Sequence, residues 1–151
     1  GVSSAASDVY KRQNLFKVIF GLFSKEDKLV ALDSLNKVGI LDKAYIRADQ
    51  LSGGQQQRVS LARALTQESE ILLADEPVSA LEPVTAKEVM DDFKRINEEL
   101  NKTILLNIHH VELALEYASR IIAVKKGKIV YDGPSQEVTK EILDEVYRKE
   151  A

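Results

Sequence analysis

The sequence predicts an α/β fold in which helices pack on a largely parallel sheet. Short apolar runs of strand length alternate with longer segments whose apolar residues recur at helical spacing. The runs at 71–74 and 103–108 are continuous and rich in aliphatic side chains, as buried parallel strands are. Together with a third run at 121–124, they are expected to form one sheet whose strands are joined through helices.

Composition is typical of one soluble domain and excludes several classes of function. Of the 151 residues, 44% are hydrophobic and 30% are charged, which suffices for an ordinary core. The 21 basic and 24 acidic residues give a net charge of −3, so a nucleic-acid partner is not expected. The absence of cysteine excludes a disulfide framework and a thiolate nucleophile. The longest uncharged, mostly apolar stretch, 18–24, is far shorter than the roughly 20 residues of a membrane-spanning helix.

The first 23 residues divide into two parts. Residues 1–13 are small and polar, then charged, and lack periodicity, so we predict a non-native leader; a disordered native terminus is the alternative. Residues 14–23 carry more large apolar side chains than an exposed helix does and need a partner surface, inside the domain or on another protein. The residues expected on that face are Phe16, Ile19, Phe20, Leu22 and Phe23.

Capping residues mark the predicted helices of the first half. Ser24 is expected to begin a helix that Gly39 ends, and a short helix is expected at 41–44. Ser52 and Gln55 have the spacing of a capping box at the start of a helix that extends to residue 65.

The second half alternates helices with strands. Pro83 is expected in the first turn of a helix whose apolar residues face inward, namely Val84, Val89, Met90, Phe93, Ile96 and Leu100. A helix is expected at 111–118, and a tight turn at Lys126 and Gly127 joins 121–124 to a strand at 128–131. The predicted terminal helix carries Val138, Ile142, Leu143, Val146 and Tyr147.

The most informative segment, residues 51–58, reads LSGGQQQR. Paired glycines before a helix let a ligand approach the backbone closely, and the N–H groups and dipole of the first turn attract an anion such as phosphate. An ordinary capped helix after a glycine turn is the alternative. The five residues Leu-Ser-Gly-Gly-Gln are expected by chance on the order of once in ten thousand such chains, which favours a phosphate site at Ser52, Gly53, Gly54 and Gln55.

Two carboxylates follow the predicted strand at 71–74. Asp75 is in line with the strand and suits a Mg²⁺ ion shared with nucleotide phosphates. Glu76 is turned away from it and is suited to polarise an attacking water. A solvated acidic turn before Pro77 is the alternative.

Two histidines follow the apolar run at 103–108. A histidine just past a strand end is suited to hydrogen-bond a phosphate or the attacking water, and His109 is expected at the sheet edge where Asp75 lies. Metal ligation is not expected, because His109 and His110 point in different directions and the chain has no cysteine or third histidine.

In this order, these segments resemble the nucleotide-binding subunit of ATP-binding cassette (ABC) transporters. Residues 51–55 resemble the signature motif, residues 71–76 the Walker B strand ending in the catalytic glutamate, and His109 the switch histidine. The D-loop is matched by Ser79, Ala80, Leu81 and Glu82. The resemblance implies the C-terminal portion of a P-loop NTPase of ABC type over 14–151. Residues 14–65 would be part of the helical subdomain, and residues 66–151 the strands of the catalytic core with the C-terminal helix.

The sequence departs from the family pattern in three places. Glu82 stands where aspartate is usual, and His110 where an acidic or amide residue is common. The P-loop, G-x-x-x-x-G-K-[ST], does not occur. The resemblance therefore implies the C-terminal part of a longer protein, inactive without its other half.

The resemblance implies a head-to-tail homodimer with ATP held between the subunits. Asp75 would hold Mg²⁺ through water, Glu76 would activate the hydrolytic water, and His109 would sense the γ-phosphate. The signature residues would reach the ATP of the opposite subunit, and the D-loop would also take part in binding. Such a subunit lies peripherally at the cytoplasmic face of the bacterial membrane, bound to permease subunits. The permease receives its substrate from a substrate-binding protein.

Within the family, three stretches resemble the ATPase of phosphonate importers, namely 22–27, 48–50 and 107–117. This implies an ATP-hydrolysing subunit that drives import of phosphonate or a related oxyanion. The alternatives are an ABC transporter ATPase for another substrate class, an ABC ATPase without a membrane partner, and a non-catalytic scaffold.

Overall fold

Within residues 24–106, three α-helices accompany a pair of strands. The computed structural model describes residues 24–148, and the chain forms two units, the first extending to Leu106 and the second beginning at Asn107. The leader predicted at 1–13 and the apolar face predicted at 14–23 lie outside the described residues.

The first helix, α1 (Lys25–Lys37), begins and ends as predicted. The Ser24 hydroxyl accepts the N–H of Asp27 at 3.0 Å, and the Asp27 carboxylate accepts the N–H of Ser24 at 3.1 Å, which completes a capping box. Gly39 adopts φ +70°, a left-handed conformation that turns the chain out of the helix. Single 3₁₀ turns follow at Leu41–Lys43 and Ala48–Gln50, and the next helix, α2, spans Gly53–Leu65.

The longest helix, α3 (Pro83–Leu100), supplies much of the core. Pro83 occupies its first turn, and Asn101 ends it in the left-handed conformation. Four of the residues expected inward are buried and Leu100 is half-buried. The prediction for Val84 is wrong, because this residue is 73% exposed. It lies five positions before Val89 and therefore about 140° around the helix from the buried stripe.

Two hydrogen-bonded strands, β1 (Ile71–Asp75) and β2 (Thr103–Asn107), flank α3 in the sequence. The N–H of Thr103 donates to the carbonyl of Glu70 at 2.9 Å, so both strands begin at the same edge and run in the same direction, as predicted.

Burial of these strands is less complete than predicted. Leu72 is buried, whereas Leu73 is 75% exposed and Leu105 is 58% exposed. Successive side chains of a strand point to opposite faces, so residues 24–148 cover one face of the pair and leave the other bare.

The third predicted strand belongs to a different sheet. β3 (Arg120–Lys125) pairs antiparallel with β4 (Lys128–Pro134), so the expectation of one sheet shared by the strands beginning at Ile71, Thr103 and Ile121 is wrong for the described chain. Lys126 and Gly127 have φ of +50° and +75°, which suits the two-residue turn of a hairpin. Closing such a short loop costs little entropy, so pairing with the neighbour in sequence is favoured.

Short helices accompany this hairpin in the second unit. α4 spans Val111–Tyr117, and α5 spans Lys140–Tyr147 behind a Thr139 cap; Val138 precedes that cap and is not helical, contrary to the prediction. The ammonium of Lys125 donates to the main-chain carbonyls of Glu145 and Arg148, which ties β3 to the end of α5.

A carboxylate on α3 joins the three α-helices found within residues 24–106. Asp92, whose side chain is 8% exposed, accepts from Nε of Arg58 on α2 at 2.6 Å and from Nη2 of Arg95 at 2.7 Å. Arg95 also donates to the carbonyl of Lys37, the last residue of α1, at 2.7 Å. Charge-assisted hydrogen bonds of this kind are about twice as strong as neutral ones, so Asp92 fixes α2 on α3 and indirectly holds the end of α1.

Replacing Asp92 tests this arrangement. Asp92→Asn keeps the shape but removes the charge that Arg58 and Arg95 share, which leaves Arg58 with the more distant carboxylate of Glu88 at 3.7 Å. The substitution is expected to lower the free energy of unfolding by about 2–3 kcal/mol. Asp33→Asn is the control, because Asp33 pairs with Lys37 at 2.6 Å on the surface and such a pair contributes less than about 1 kcal/mol. Urea denaturation followed by circular dichroism measures both. Equal losses in the two variants would show that Asp92 does not join the helices.

Candidate nucleotide-binding and hydrolysis site

The predicted phosphate motif forms the start of α2, as the capping pattern indicated. The Ser52 hydroxyl accepts the N–H of Gln55 at 3.3 Å, and the Gln55 side-chain oxygen accepts the N–H of Ser52 at 3.0 Å. The Gln56 side-chain amide donates to the carbonyl of Leu51, the residue before the cap, at 2.9 Å. The Ser52 cap uses the N–H of Gln55, whereas the N–H groups of Gly53 and Gly54, the first two helical positions, have no acceptor within the helix ladder and point beyond its start, where an anion is favoured.

The two glycines of this motif have different surroundings. Gly53 is exposed, and a Cβ placed on it would lie 3.2 Å from Cδ2 of Leu81. Gly54 is buried, and a Cβ placed on it would lie closer than 3.0 Å to Cγ2 of Thr85. The start of α2 therefore packs directly on the 79–82 segment and the first turn of α3. The sequence analysis assigned both glycines to a ligand. It missed their packing against Leu81 and Thr85, because no local sequence pattern indicates it.

The carboxylates that end β1 occupy a sharp turn. Asp75 is the last residue of the strand, and Glu76 has φ +47°, a left-handed conformation that is uncommon for a residue with a side chain. The Ser79 hydroxyl and the Ser79 N–H both donate to the carbonyl of Glu76, at 3.1 and 3.3 Å. Pro77 and Val78 are buried, whereas Asp75 and Glu76 are exposed. The buried side chains of Pro77 and Val78 thus hold the turn against the core, and the carboxyl groups of Asp75 and Glu76 lie next to each other in sequence at the surface.

The residues at this turn fit a magnesium ion that is shared with a ligand. Among residues 24–148, no group of three or more histidine and carboxylate side chains comes together as a metal cage. Mg²⁺ is commonly held by one or two carboxylates together with water and substrate phosphates, and Asp75 supplies a carboxylate of that kind.

The four residues matched to the D-loop lead from this turn into α3. Ser79, Ala80 and Glu82 are exposed and Leu81 is half-buried; Glu82 is the residue before the first helical position. This segment lies beside Gly53 through Leu81 and is bonded to the turn at Glu76 through Ser79. The structure therefore brings three of the predicted motifs together in the first unit.

His109 and His110 follow β2 in the second unit. Both are exposed, and His110 is the N-cap residue of α4. The expectation that His109 acts on the same phosphate as Asp75 stays a prediction.

Comparison with known proteins agrees with these motifs. The phosphonates import ATP-binding protein of Lactococcus lactis subsp. cremoris (strain SK11) is 99% identical over 137 residues, which cover 91% of this chain and 56% of the relative. The protein of the same name from Staphylococcus aureus (strain bovine RF122 / ET3-1) is 59% identical over 132 residues, covering 87% and 51%. The chain thus spans about half the length of the curated relatives it matches.

A solved structure and a family model complete the comparison. A dimeric ATP-binding cassette in a post-hydrolysis state, bound to ADP and Pi, superposes with a TM-score of 0.62 at 36% identity, over 75% of this chain and 49% of the other. The family model described as ABC transporter matches residues 4–79, a range that begins inside the predicted leader and includes the signature, the Walker B strand and the first residue of the D-loop. This chain therefore belongs to the ABC transporter family.

Proposed function

We propose that this chain is the C-terminal part of the ATP-hydrolysing subunit of an ABC importer for phosphonate or a related oxyanion. The observation that carries hydrolysis is the turn at the end of β1, where Asp75 and Glu76 are exposed side by side and Ser79 holds the Glu76 backbone. The substrate class rests on the names of the Lactococcus and Staphylococcus relatives, which are phosphonates import ATP-binding proteins.

In this proposal the carboxyl groups of the turn have separate roles. Asp75 would hold Mg²⁺ through water, and the ion would supply positive charge that neutralises the nucleotide phosphates. Glu76 orients the attacking water and withdraws its proton. His109 is assigned the γ-phosphate contact on its position in the sequence, two residues beyond β2. Phosphoryl transfer demands positioning and charge stabilisation from these residues rather than covalent chemistry.

The signature helix serves the opposite subunit of a head-to-tail homodimer. Ser52, Gly53, Gly54 and Gln55 contribute the first turn of α2, whose N–H groups and dipole favour a phosphate. The dimeric form of the solved cassette supports this assembly. Glu82 in the D-loop is longer by one methylene than the usual aspartate, which changes how far its carboxylate reaches toward the other subunit.

The proposed location is peripheral, on the cytoplasmic face of the bacterial membrane. The subunit would bind the permease, which receives its substrate from a separate binding protein, and it would have no nucleic-acid partner. None of the helices within residues 24–148 is both long and apolar enough to cross a bilayer.

Glu76→Gln tests the catalytic assignment in the full-length Lactococcus relative. We expect turnover to fall by about 10²- to 10⁴-fold while ATP binding is retained, because the amide cannot take the proton of the attacking water. Glu98→Gln, an exposed position of α3, is the matched control and is expected to keep the unmodified rate. Steady-state phosphate release and ATP titration measure the two quantities. Turnover by Glu76→Gln at the rate of the unmodified protein would remove Glu76 from the mechanism.

Calorimetric titration tests the contribution of the P-loop. The 151-residue chain is expected to show no Mg²⁺-dependent ATP binding and no hydrolysis, because the P-loop backbone donors and lysine do not occur in its sequence. The full-length Lactococcus relative, titrated alongside, is expected to bind. Tight Mg²⁺-dependent binding by the shorter chain would show that its main phosphate site lies elsewhere.

A further inference from the structure

Gly54 is the more closely packed of the two signature glycines, and the residue it lies against is Thr85. A Cβ on Gly54 would lie closer than 3.0 Å to the γ-methyl group of Thr85, a separation that Cβ atoms in folded proteins essentially never show. Thr85 is β-branched and half-buried in the first turn of α3, so its methyl group has little freedom to rotate away. The neighbouring glycine differs, because Gly53 faces the flexible end of Leu81 at 3.2 Å.

A glycine inside a helix needs a reason. In a helix interior it costs about 1 kcal/mol relative to alanine. Gly54 lies in the first turn, at the second position of α2, and has no positive φ. Backbone conformation therefore does not demand glycine here. The steric demand comes from Thr85, on the helix that follows the D-loop.

We propose that Thr85 is a positioning residue for the signature motif: its γ-methyl group sets the distance between the start of α2 and the start of α3. Asp92 joins the same two helices further along, where it binds Arg58 at 2.6 Å. The two contacts together fix both the separation and the orientation of the signature helix relative to the D-loop. The catalytic part of this proposal rests on the proposed function, because it requires that the first turn of α2 reach a phosphate.

The consequence for turnover follows from geometry. N–H groups aimed at a phosphate lose their effect when the helix that carries them shifts, and a displacement of 1 Å is enough to reduce a rate by about 100-fold. A methyl group added at Gly54 must push α2 away from α3. Removing the γ-methyl group of Thr85 makes room for it.

A double-mutant test in the full-length Lactococcus relative follows directly. Gly54→Ala is expected to lower the melting temperature by roughly 3–10 °C and kcat by at least about 10-fold. Thr85→Ser, which removes the methyl group but keeps the hydroxyl, is expected to restore most of both when combined with Gly54→Ala. Gly53→Ala is the matched control for the melting temperature and should change it little, because the end of Leu81 can move by a few tenths of an ångström.

The outcomes separate the possible roles of the contact. A double variant no better than Gly54→Ala in melting temperature, or a Gly54→Ala protein with unchanged melting temperature and kcat, overturns the proposal. Recovery of the melting temperature without recovery of kcat overturns the positioning role, because the methyl group added at Gly54 then lowers kcat without displacing α2. Because melting is measured without nucleotide, its recovery in the double variant would stand even if Glu76→Gln showed that the proposed function is wrong.

Discussion

The carboxylate of Asp92 is the interaction on which the described arrangement of the first unit depends. It lies almost out of solvent and accepts charged hydrogen bonds from Arg58 and Arg95, so it is satisfied where an unpaired charge would be costly. Arg58 belongs to the same helix as the signature glycines, and Asp92 to the helix that follows the D-loop. A structural ion pair thereby sets the geometry of the residues that we assign to phosphate.

Local rules of the sequence account for most of the first unit and for the family. Ser24, Ser52 and Pro83 begin helices where their capping or backbone chemistry places them, and Gly39 ends one. The membership of the ABC transporter family, predicted from the order of three motifs, is confirmed. These features depend on a few neighbouring residues, so a single sequence contains the information that specifies them.

Features that depend on distant residues, or on how a turn packs into the core, were not predictable in this way. Arg58 and Asp92 are 34 residues apart, and no periodicity connects them. The left-handed backbone of Glu76 costs about 1–3 kcal/mol and depends on Ser79 and on the buried residues beside it, so residue type alone gave no indication of it. The turn at Lys126 and Gly127, which was predicted, joins β3 to β4. The prediction that β3 also belongs to the sheet of β1 and β2 was wrong, because an apolar run shows that a strand forms but does not identify the strands beside it.

That turn also has a consequence for the order in which the chain acquires structure. Both of its central residues have positive φ, which matches the natural twist of paired strands, and the residues it joins are adjacent along the chain. Hairpins of this kind form within about 1–10 μs, whereas contacts between distant segments must first overcome the entropy of closing longer loops. We therefore expect the pairing of β3 with β4 to form early in folding and the parallel pairing of β1 with β2, which requires the whole of α3 between them, to form later.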